Sequence, residues 1–446
     1  GEYGSLNSSS TLRTPPSGSN GAYTIIKAEN DGNVVINKRL FLKDPAHHIQ
    51  FEGLKWKGPY QDIITGNNIK VFRCAFEGGP SGGNTTNVNI GSSDFETKNI
   101  LIEDSWFYGP GGRYTLLIIW SSDVIIRRTA IRHDGGWNMD NNFTPESGIT
   151  IYNSARVQLQ NVIVLDSITT SYNDSGSPKN FTAAFYNVSN KANRYKDTRI
   201  VGSISFNNIR KAFAYDDSSN KQNAIIENCA AWRPDDATGY FAGSALTIAS
   251  KDNVVARNLT LINSTDISKK KTTTAVANWG SNSSLSIKNS IVTNASKGFK
   301  GVSESFNVCD AIDKQGCNSE NGKNYNPQQN GLKYITRIEE GSRLQTDGEG
   351  GGVVGATIIN RIGKSGTLYG ETDFDILLDE PLWPWPNEAV IGKDFCSITV
   401  PGLAARGLCS SGGKTLTAYI WGALGNELPE DLSSMPSPKN TRSIKN

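Results

Sequence analysis

The chain has 446 residues, of which 37% are hydrophobic and 20% charged, and 45 basic against 43 acidic residues leave a net charge of +2. This balance indicates no polyanion-binding surface, and no apolar run approaches the ~18 residues that a membrane-spanning helix requires. We therefore expect neither a nucleic-acid partner nor a membrane-spanning segment. Short bursts of Val, Ile, Thr and aromatic residues alternate with Gly, Asn, Asp and Ser. This pattern predicts an all-β protein.

The first 22 residues are polar and rich in Ser, Gly and Pro, and we interpret them as an N-terminal arm. They begin with Gly1-Glu2-Tyr3 and not with methionine, as a processed secreted protein or a trimmed chain would. Secretion to an extracellular or cell-surface location is therefore the expectation.

Residues 23–308 contain an internal repeat. Two bursts of alternating apolar residues flank a short polar corner at 115–132, 149–166 and 245–263. Looser copies run through 49–57, 63–76, 88–107, 198–207, 224–232 and 275–294. Roughly ten copies at a period of about 20 to 35 residues, with no helix between them, predict a solenoid whose coils bury one continuous core. A β-sandwich or propeller is the alternative, but the repeated phrase lacks a four-stranded blade.

Asparagines recur at the corners of these copies, at Asn99, Asn161, Asn228, Asn258 and Asn289. Asn tolerates left-handed backbone, and its amide can bond to the equivalent amide one coil away. With these corners and the opening segment 23–36, the chain resembles the right-handed parallel β-helix superfamily of pectate-lyase-like proteins. The resemblance covers 23–308 and implies a right-handed parallel β-helix, a scaffold that by itself specifies no reaction.

The period is lost beyond the solenoid. Residues 309–380 form an irregular segment rich in Gly and Asn, and 381–446 form a C-terminal module and tail. This block is similar to the C-terminal part of uncharacterised secreted bacterial β-helix repeat proteins, and we interpret it as a cap. Apolar residues at 416, 420 and 424 have helical spacing and precede Gly425, which predicts a short helix. The Trp-Pro-Trp sequence at 383–385 could alternatively stack on sugars.

Four of the six cysteines form two closely spaced pairs, Cys309 with Cys317 and Cys396 with Cys409. Neither pair has the spacing of a metal site, so we predict two local disulfides formed in an oxidising compartment. Cys74 and Cys229 lie within strand-like bursts and are predicted to be buried thiols.

Acids, bases and aromatic residues follow the second strand of successive copies, at 103–106, 132–134, 166–167, 207–211, 232–236 and 263–266. The long segments 134–148, 166–182 and 233–243 begin on the same side. Together they predict a loop-flanked groove suited to a polysaccharide. If the protein is a polysaccharide lyase or glycoside hydrolase, the candidate catalytic residues are His133, Asp134, Arg210, Lys211 and Asp235.

A lyase acting on a uronate polymer would use calcium or arginine to neutralise the carboxylate. Asp216, Asp217 and Asp236 are the candidate calcium ligands, and calcium is the one cofactor we consider. Adjacent aspartates on a strand point to opposite faces, so a pair in sequence is not by itself a catalytic pair. Signatures of polygalacturonase-like hydrolases are absent from the sequence.

The arm contains no amphipathic helix to cover the first coil, and an uncovered coil is an open sheet edge to which another chain can add. We therefore expect a secreted structural protein that associates with copies of itself into a filament or surface array; the alternative is that the tails lie along their own solenoid. Its outer faces carry sequons for glycans at Asn84, Asn142, Asn180, Asn187, Asn258 and Asn294.

Overall fold

A computed structural model describes most of the chain. The described residues are 2–3, 12, 14–42, 45–80, 84–94, 96–135, 147–167, 183–189, 197–208, 211–218, 223–232, 244–249, 251–263, 274–319, 321–399 and 405–433. At residues 2, 3, 189, 217, 218 and 433 the description is limited to the backbone. No helix among these residues is both long enough and apolar enough to cross a membrane.

Short strands dominate the described chain. In chain order they are β1 (Glu2–Tyr3), β2 (Thr24–Lys27), β3 (Val34–Ile36), β4 (His47–Glu52), β5 (Leu54–Lys57), β6 (Asp62–Ile64), β7 (Asn67–Phe72), β8 (Ala75–Glu77), β9 (Thr86–Ile90), β10 (Thr97–Glu103), β11 (Trp106–Tyr108), β12 (Tyr114–Ile119), β13 (Ser121–Arg127), β14 (Ala130–Ile131), β15 (Ser147–Tyr152), β16 (Ala155–Gln160), β17 (Ile163–Leu165), β18 (Ala183–Ser189), β19 (Thr198–Val201), β20 (Ile204–Phe206), β21 (Lys211–Ser218), β22 (Asn223–Glu227), β23 (Ala230–Trp232), β24 (Leu246–Ala249), β25 (Asn253–Arg257), β26 (Thr260–Ile262), β27 (Thr274–Asn278), β28 (Ser284–Lys288), β29 (Ile291–Lys300), β30 (Ser303–Ser305), β31 (Val308–Lys314), β32 (Lys323–Asn324), β33 (Asn360–Ile362) and β34 (Leu377–Pro381). The helices are α1 (Glu388–Cys396), α2 (Leu416–Trp421) and α3 (Glu430–Ser433).

Each full coil contributes one strand to each of three faces. The first face is an eleven-stranded parallel sheet that runs β2-β4-β7-β10-β13-β16-β19-β22-β25-β28-β30. The second face holds short strands, including β5, β8, β11, β14, β17, β20, β23 and β26, and the third holds β6, β9, β12, β15, β18, β21, β24 and β27. The second and third faces join through β29, which pairs with both β26 and β27. This parallel β-helix solenoid confirms the predicted fold class.

Side chains alternate along each strand, so one side of every face points into the solenoid. The interior is apolar and continuous from Ala28 to Cys317. Along the second face Trp56, Phe76 and Phe107 stack in successive coils with ring centroids 5.0 and 4.9 Å apart. Stacked rings fit this fold because parallel strands place equivalent residues about 4.8 Å apart. Cys74 and Cys229 are buried free thiols, as predicted.

The predicted corner asparagines have left-handed backbone, with φ between 50° and 54°. Asn99 donates from Nδ2 to Oδ1 of Asn68 one coil away at 3.2 Å, as predicted. At Asn228 the amide bonds instead to the backbone of Thr357, far away in the sequence. Asn161, Asn258 and Asn289 also bond to residues of the C-terminal region. These corner side chains therefore bind the C-terminal region, residues 325–433, to the solenoid.

The N-terminal arm lies along its own first coil where it is described. β1 pairs in parallel with β3, and Leu12 packs against the interior while its backbone N–H bonds to Arg39. The expected uncovered first coil is thus partly covered by the arm itself, because the backbone groups of β3 and the edge of the core find partners in it.

The C-terminal region, residues 325–433, runs back along the outside of the second face. From Gly355 to Asp394 its contacts with the solenoid follow in reverse chain order: Gly355 with Asn289, Thr357 with Asn228, Ile362 with Asn161, Asn387 with Asp104, and Asp394 with Lys55. Beyond α1 the order runs forward again, with Arg406 at Asp134 and Tyr419 at Asn207. The expectation of a terminal cap therefore differs from the structure, in which the module covers a side. The outward residues of the second face are apolar, so covering them with the C-terminal region removes apolar surface from water.

A second core joins the two parts. Outward residues such as Trp106, Ile163 and Ile204 pack against the C-terminal region. The predicted disulfides, Cys309–Cys317 and Cys396–Cys409, are both formed. The predicted short helix is α2, which continues as a 3-10 turn to Leu424 and ends at Gly425 with φ 83°. Thr415 caps its start by accepting a bond from the Ala418 amide.

Candidate functional site

The predicted catalytic residues His133 and Asp134 lie at the junction between the solenoid and the C-terminal module. Both are buried. His133 Nδ1 is 2.8 Å from Thr115 Oγ1, and burial lowers the His133 pKa to about 4. Asp134 forms ion pairs with Arg132 at 2.9 Å and Arg406 at 2.8 Å. This arrangement holds the module in place.

The predicted position 103–106 lies at a different corner of the solenoid from 132–134. Glu103 and Asp104 sit between the first and second faces, whereas Arg132 to Asp134 follow the second face. Glu103 is fully buried and pairs with Arg127 at 3.0 Å and with Arg128. The predicted row of acids and bases therefore occupies two different corners. The sequence pattern does not separate the short strands of the second face from the first-face strands that precede them.

Lys211 and Asp216 lie towards opposite ends of β21 on the third face. The Tyr186 hydroxyl donates to Asp216 Oδ2 at 3.3 Å, and burial followed by the Asp216 charge raises the pKa of Tyr186 above its usual value. Arg210, Asp235, Asp236 and the side chain of Asp217 lie outside the described residues. Within the described part, no three His, Cys, Asp or Glu side chains group as metal ligands, so the calcium site stays a prediction.

An open groove of about 510 Å³ lies where strands of the third face turn into the first face. Trp120 lies in it, flanked by polar and charged side chains. Its lining is Ser93, Asp94, Glu96, Thr97, Trp120, Ser121, Ser122, Asn153, Ala155 and Arg156. Asp94 and Glu96 are exposed on one wall of the groove, and Glu96 pairs with Lys98 at 3.2 Å.

Trp120 occupies a backbone position that suits asparagine. Its φ is 54°, and one coil later Asn153 holds the same place with φ 52°. Trp120 N donates to Tyr152 O at 3.3 Å, as Asn153 N does to Val188 O at 3.2 Å. A bulky residue is rare in left-handed backbone, and such strain concentrates at functional sites. The signal in the sequence is thus a tryptophan at a corner position, which a pattern of acids and bases does not reveal.

An aromatic contact and an ion pair lie at the groove. The Trp120 ring packs edge-on against Tyr152, with centroids 6.4 Å apart. Arg156 binds both carboxylate oxygens of Asp123, at 2.6 and 2.7 Å. A two-point Arg–carboxylate contact fixes both side chains in one plane. The aromatic surface is therefore held in a defined orientation beside a polar floor.

A column of outward-facing residues continues from the groove along the third face. Paired strands align Ile119, Tyr152, Val188, Asp216 and Ala249. We call these residues, with the Trp279 that follows β27, the outer column. Trp279 N donates to Ile248 O at 2.7 Å, which places Trp279 beside Ala249. The column thus links the groove to a second tryptophan.

Trp279 is 55% exposed, and Lys300 Nζ lies 3.1 Å from the centre of its ring. A cation over a tryptophan face favours a fixed ring orientation. Four coils separate Trp279 from Tyr152, which corresponds to about 19 Å at the usual strand spacing. Two aromatic surfaces therefore lie along the solenoid axis on the same side of the molecule.

The other tryptophans considered for sugar stacking are buried. Trp383 and Trp385 are 2% and 1% exposed, and Trp383 Nε1 donates to Ile358 O at 2.7 Å. They belong to the second core. Their burial removes the sugar-stacking alternative for the Trp-Pro-Trp sequence.

The predicted glycan sites differ in their surroundings. Asn84 is exposed, whereas Asn187 is 4% exposed and Asn258 donates from Nδ2 to Val353 O at 2.8 Å. Asn294 is half-buried, and Asn142 and Asn180 lie outside the described residues. Since a glycan attaches at Nδ2, the folded chain favours Asn84 among the predicted glycan sites that the structure describes.

No model of a known protein family matches the chain, and a search of curated proteins found no match either.

Proposed function

We propose that the protein is an extracellular solenoid that binds a polysaccharide along its third face, beginning at the groove around Trp120. The observation that carries the proposal is a fixed tryptophan in an open polar groove of about 510 Å³. Polar clefts with a few aromatic surfaces suit sugars, which present apolar C–H faces and many hydroxyl groups.

The length of the outer column suits a polysaccharide chain and not a single sugar. Tyr152 and Trp279 are about 19 Å apart along the axis, at four coil spacings. Asp216 and Ala249 lie between them, and Ala249 is exposed. A linear polymer laid parallel to the axis would contact both aromatic surfaces.

The two disulfides indicate an oxidising, extracellular environment. Secretion follows from this as part of the proposal. A polysaccharide outside the cell is then an accessible ligand.

Substitution of the two tryptophans tests the proposal. We expect Trp120→Ala to weaken binding of a retained polymer about tenfold, a loss of about 1.4 kcal/mol. Trp279→Ala is expected to weaken binding of the polymer but not of short oligosaccharides, which cannot reach from the groove to Trp279. Leu377→Ala is the control, because Leu377 is 65% exposed on β34, a strand that pairs with β33 and does not belong to the third face.

Affinity electrophoresis against a uronate polymer and a neutral glucan provides the measurement. Absence of retention in both, or a Trp120→Ala variant retained like the wild type, would refute the proposal. The same samples test cleavage by a lyase or hydrolase. Ultraviolet-absorbing unsaturated products would identify β-elimination, and new reducing ends without them would identify hydrolysis.

Self-association is a second candidate function, supported by the last coil. Within the described residues, β31 pairs with β32 only at Val308 and Cys309, and β30 pairs only with β28. Backbone edges without a neighbouring strand can accept a strand of another copy. Sedimentation velocity across a concentration series tests this proposal: assembly should weaken in Ser303→Lys, because lysine on an edge opposes strand addition. A wild type that remains monomeric at all concentrations would rule it out.

A further inference from the structure

The two disulfides have opposite surroundings. Cys309 and Cys317 are 1% and 2% exposed and lie in the solenoid interior. In the other pair Cys396 is exposed and Cys409 is half-buried. A thiol in solution can therefore reach the second pair, and it reaches Cys396 first. Access is one of the conditions that determine how fast a disulfide exchanges.

The two sulfurs of the exposed pair also differ in their electrostatic environment. Arg132 Nη1 lies 3.2 Å from Cys409 Sγ, and Arg132 is 1% exposed. Cys396 is the last residue of α1, where the helix dipole places partial negative charge. The guanidinium stabilises a thiolate on Cys409, and the helix end disfavours one on Cys396.

Other charged groups surround this position. Asp134 pairs with both Arg132 and Arg406, and Arg406 Nε donates to the backbone carbonyl of Asp166. The Asp166 carboxylate accepts bonds from the Leu408 amide and the Tyr419 hydroxyl. Burial raises the Asp166 pKa despite these bonds. On α1, Asp394 forms an ion pair with Lys55.

We propose that Cys396–Cys409 is an exchange-active disulfide, in which the exposed Cys396 accepts a thiol from solution as a mixed disulfide. The attacking thiolate forms a new S–S bond to Cys396 Sγ. The Cys396–Cys409 bond breaks, and its electron pair leaves on Cys409 Sγ beside Arg132. The product is a Cys396 mixed disulfide and a Cys409 thiolate, with no net oxidation or reduction.

Exchange at this position would release a covalent link within the module that covers the second face. The sequence 397–408 joins the two cysteines, and Gly407 to Ser410 form the turn whose Leu408 amide bonds to Asp166. Opening the bond therefore leaves this turn held by hydrogen bonds and ion pairs. The inference is independent of the polysaccharide proposal, because it concerns another face of the molecule.

Reduced glutathione applied to the folded protein tests the inference. After acid quenching and alkylation, peptide mass spectrometry should find glutathione on Cys396, the alkyl label on Cys409, and Cys309–Cys317 intact. The buried disulfide serves as the internal control. Glutathione on Cys409, equal labelling of the two sulfurs, or earlier opening of Cys309–Cys317 would overturn the inference.

Single-thiol variants separate the role of Arg132 from access alone. In Cys396→Ala, the remaining Cys409 should react with iodoacetamide at least tenfold faster at pH 7 than Cys396 does in Cys409→Ala. Arg132→Lys in the Cys396→Ala background retains the charge and should retain the fast reaction, whereas Arg132→Gln should lose it. Equal rates in the two single-thiol variants would show that the charge does not select the leaving sulfur.

Discussion

The second and third faces of the solenoid are built from the same kind of strand but have opposite outer surfaces. Outward residues of the second face, such as Trp106 and Ile163, are buried under the C-terminal region. On the third face the outer column includes the half-buried Asp216 and the exposed Trp279. The repeat alone therefore does not place a binding surface. The course of the returning chain decides which face stays accessible.

Several buried charges lie at the contact between the solenoid and the C-terminal region. Arg128, Arg132 and Glu103 are all at most 1% exposed and pair within or beside the contact with the C-terminal region. Around the groove, Arg156 pairs with Asp123 but remains exposed to solvent. Removing one partner is strongly destabilising where the pair is buried and nearly neutral where water can replace it.

Glu103→Gln should have the largest effect on stability. Burial raises the Glu103 pKa, but Arg128 and Arg127 outweigh burial and hold this pKa below its usual value. Loss of the charge leaves two buried guanidinium groups with one carboxylate fewer, which should lower the free energy of unfolding by about 3–5 kcal/mol. Urea denaturation measures the change.

Glu380→Gln is the matched control. Glu380 is 66% exposed and lies 3.6 Å from Arg361, so its removal should change stability by less than about 0.5 kcal/mol. If the two variants unfold at similar urea concentrations, burial does not distinguish these ion pairs, and the expected cost of leaving a buried charge unpaired is wrong.

Acid should weaken the covered face through His133. Burial lowers its pKa to about 4, so between pH 6.5 and 4 the unfolded chain binds a proton that the folded chain does not. This contribution to stability is complete above pH 6.5 and is lost as the pH falls towards 4, by about 3 kcal/mol in total.

His133→Gln removes the titrating group, so the stability difference between wild type and variant should change across this pH interval. Urea midpoints at pH 7, 5.5 and 4.5 provide the measurement. Parallel curves for the two proteins would mean that His133 is accessible to protons in the folded state.

The sequence predicts the solenoid well because its signals are local. Alternating strands, left-handed corners such as Asn99, and the two cysteine pairs each depend on residues close in the chain. The course of the C-terminal region depends on contacts between distant residues, such as Asn228 with Thr357. Outward apolar residues such as Ile163 have the same pattern as interior ones, so the covered face is not visible in the sequence.

The candidate site was predicted less well. A search for acids and bases selected His133 and Asp134, whose roles at the module junction depend on Arg406, more than 260 residues away. The groove around Trp120 was missed, because its signal is a tryptophan in a backbone position that favours asparagine. Recognising that signal requires the alignment of coils that the structure supplies.

Corner asparagines offer the smallest and sharpest comparison. Asn228 donates to Thr357 O and accepts from Thr357 N, both at 2.7 Å. Asn99 has the same left-handed backbone but bonds to Asn68 of the neighbouring coil at 3.2 Å. Replacing either by alanine adds similar backbone strain, of about 1–2 kcal/mol. Asn228→Ala also leaves backbone groups of the C-terminal region without partners, which costs about 1–3 kcal/mol more.

Glycine variants separate strain from lost hydrogen bonds. Glycine relieves the left-handed strain, so Asn99→Gly should recover most of the stability that Asn99→Ala loses. Asn228→Gly should recover only the strain and remain about 1–3 kcal/mol less stable than wild type by urea denaturation. If both glycine variants match the wild type, the corner amides do not fasten the C-terminal region, and the apolar contacts of the second face alone hold it in place.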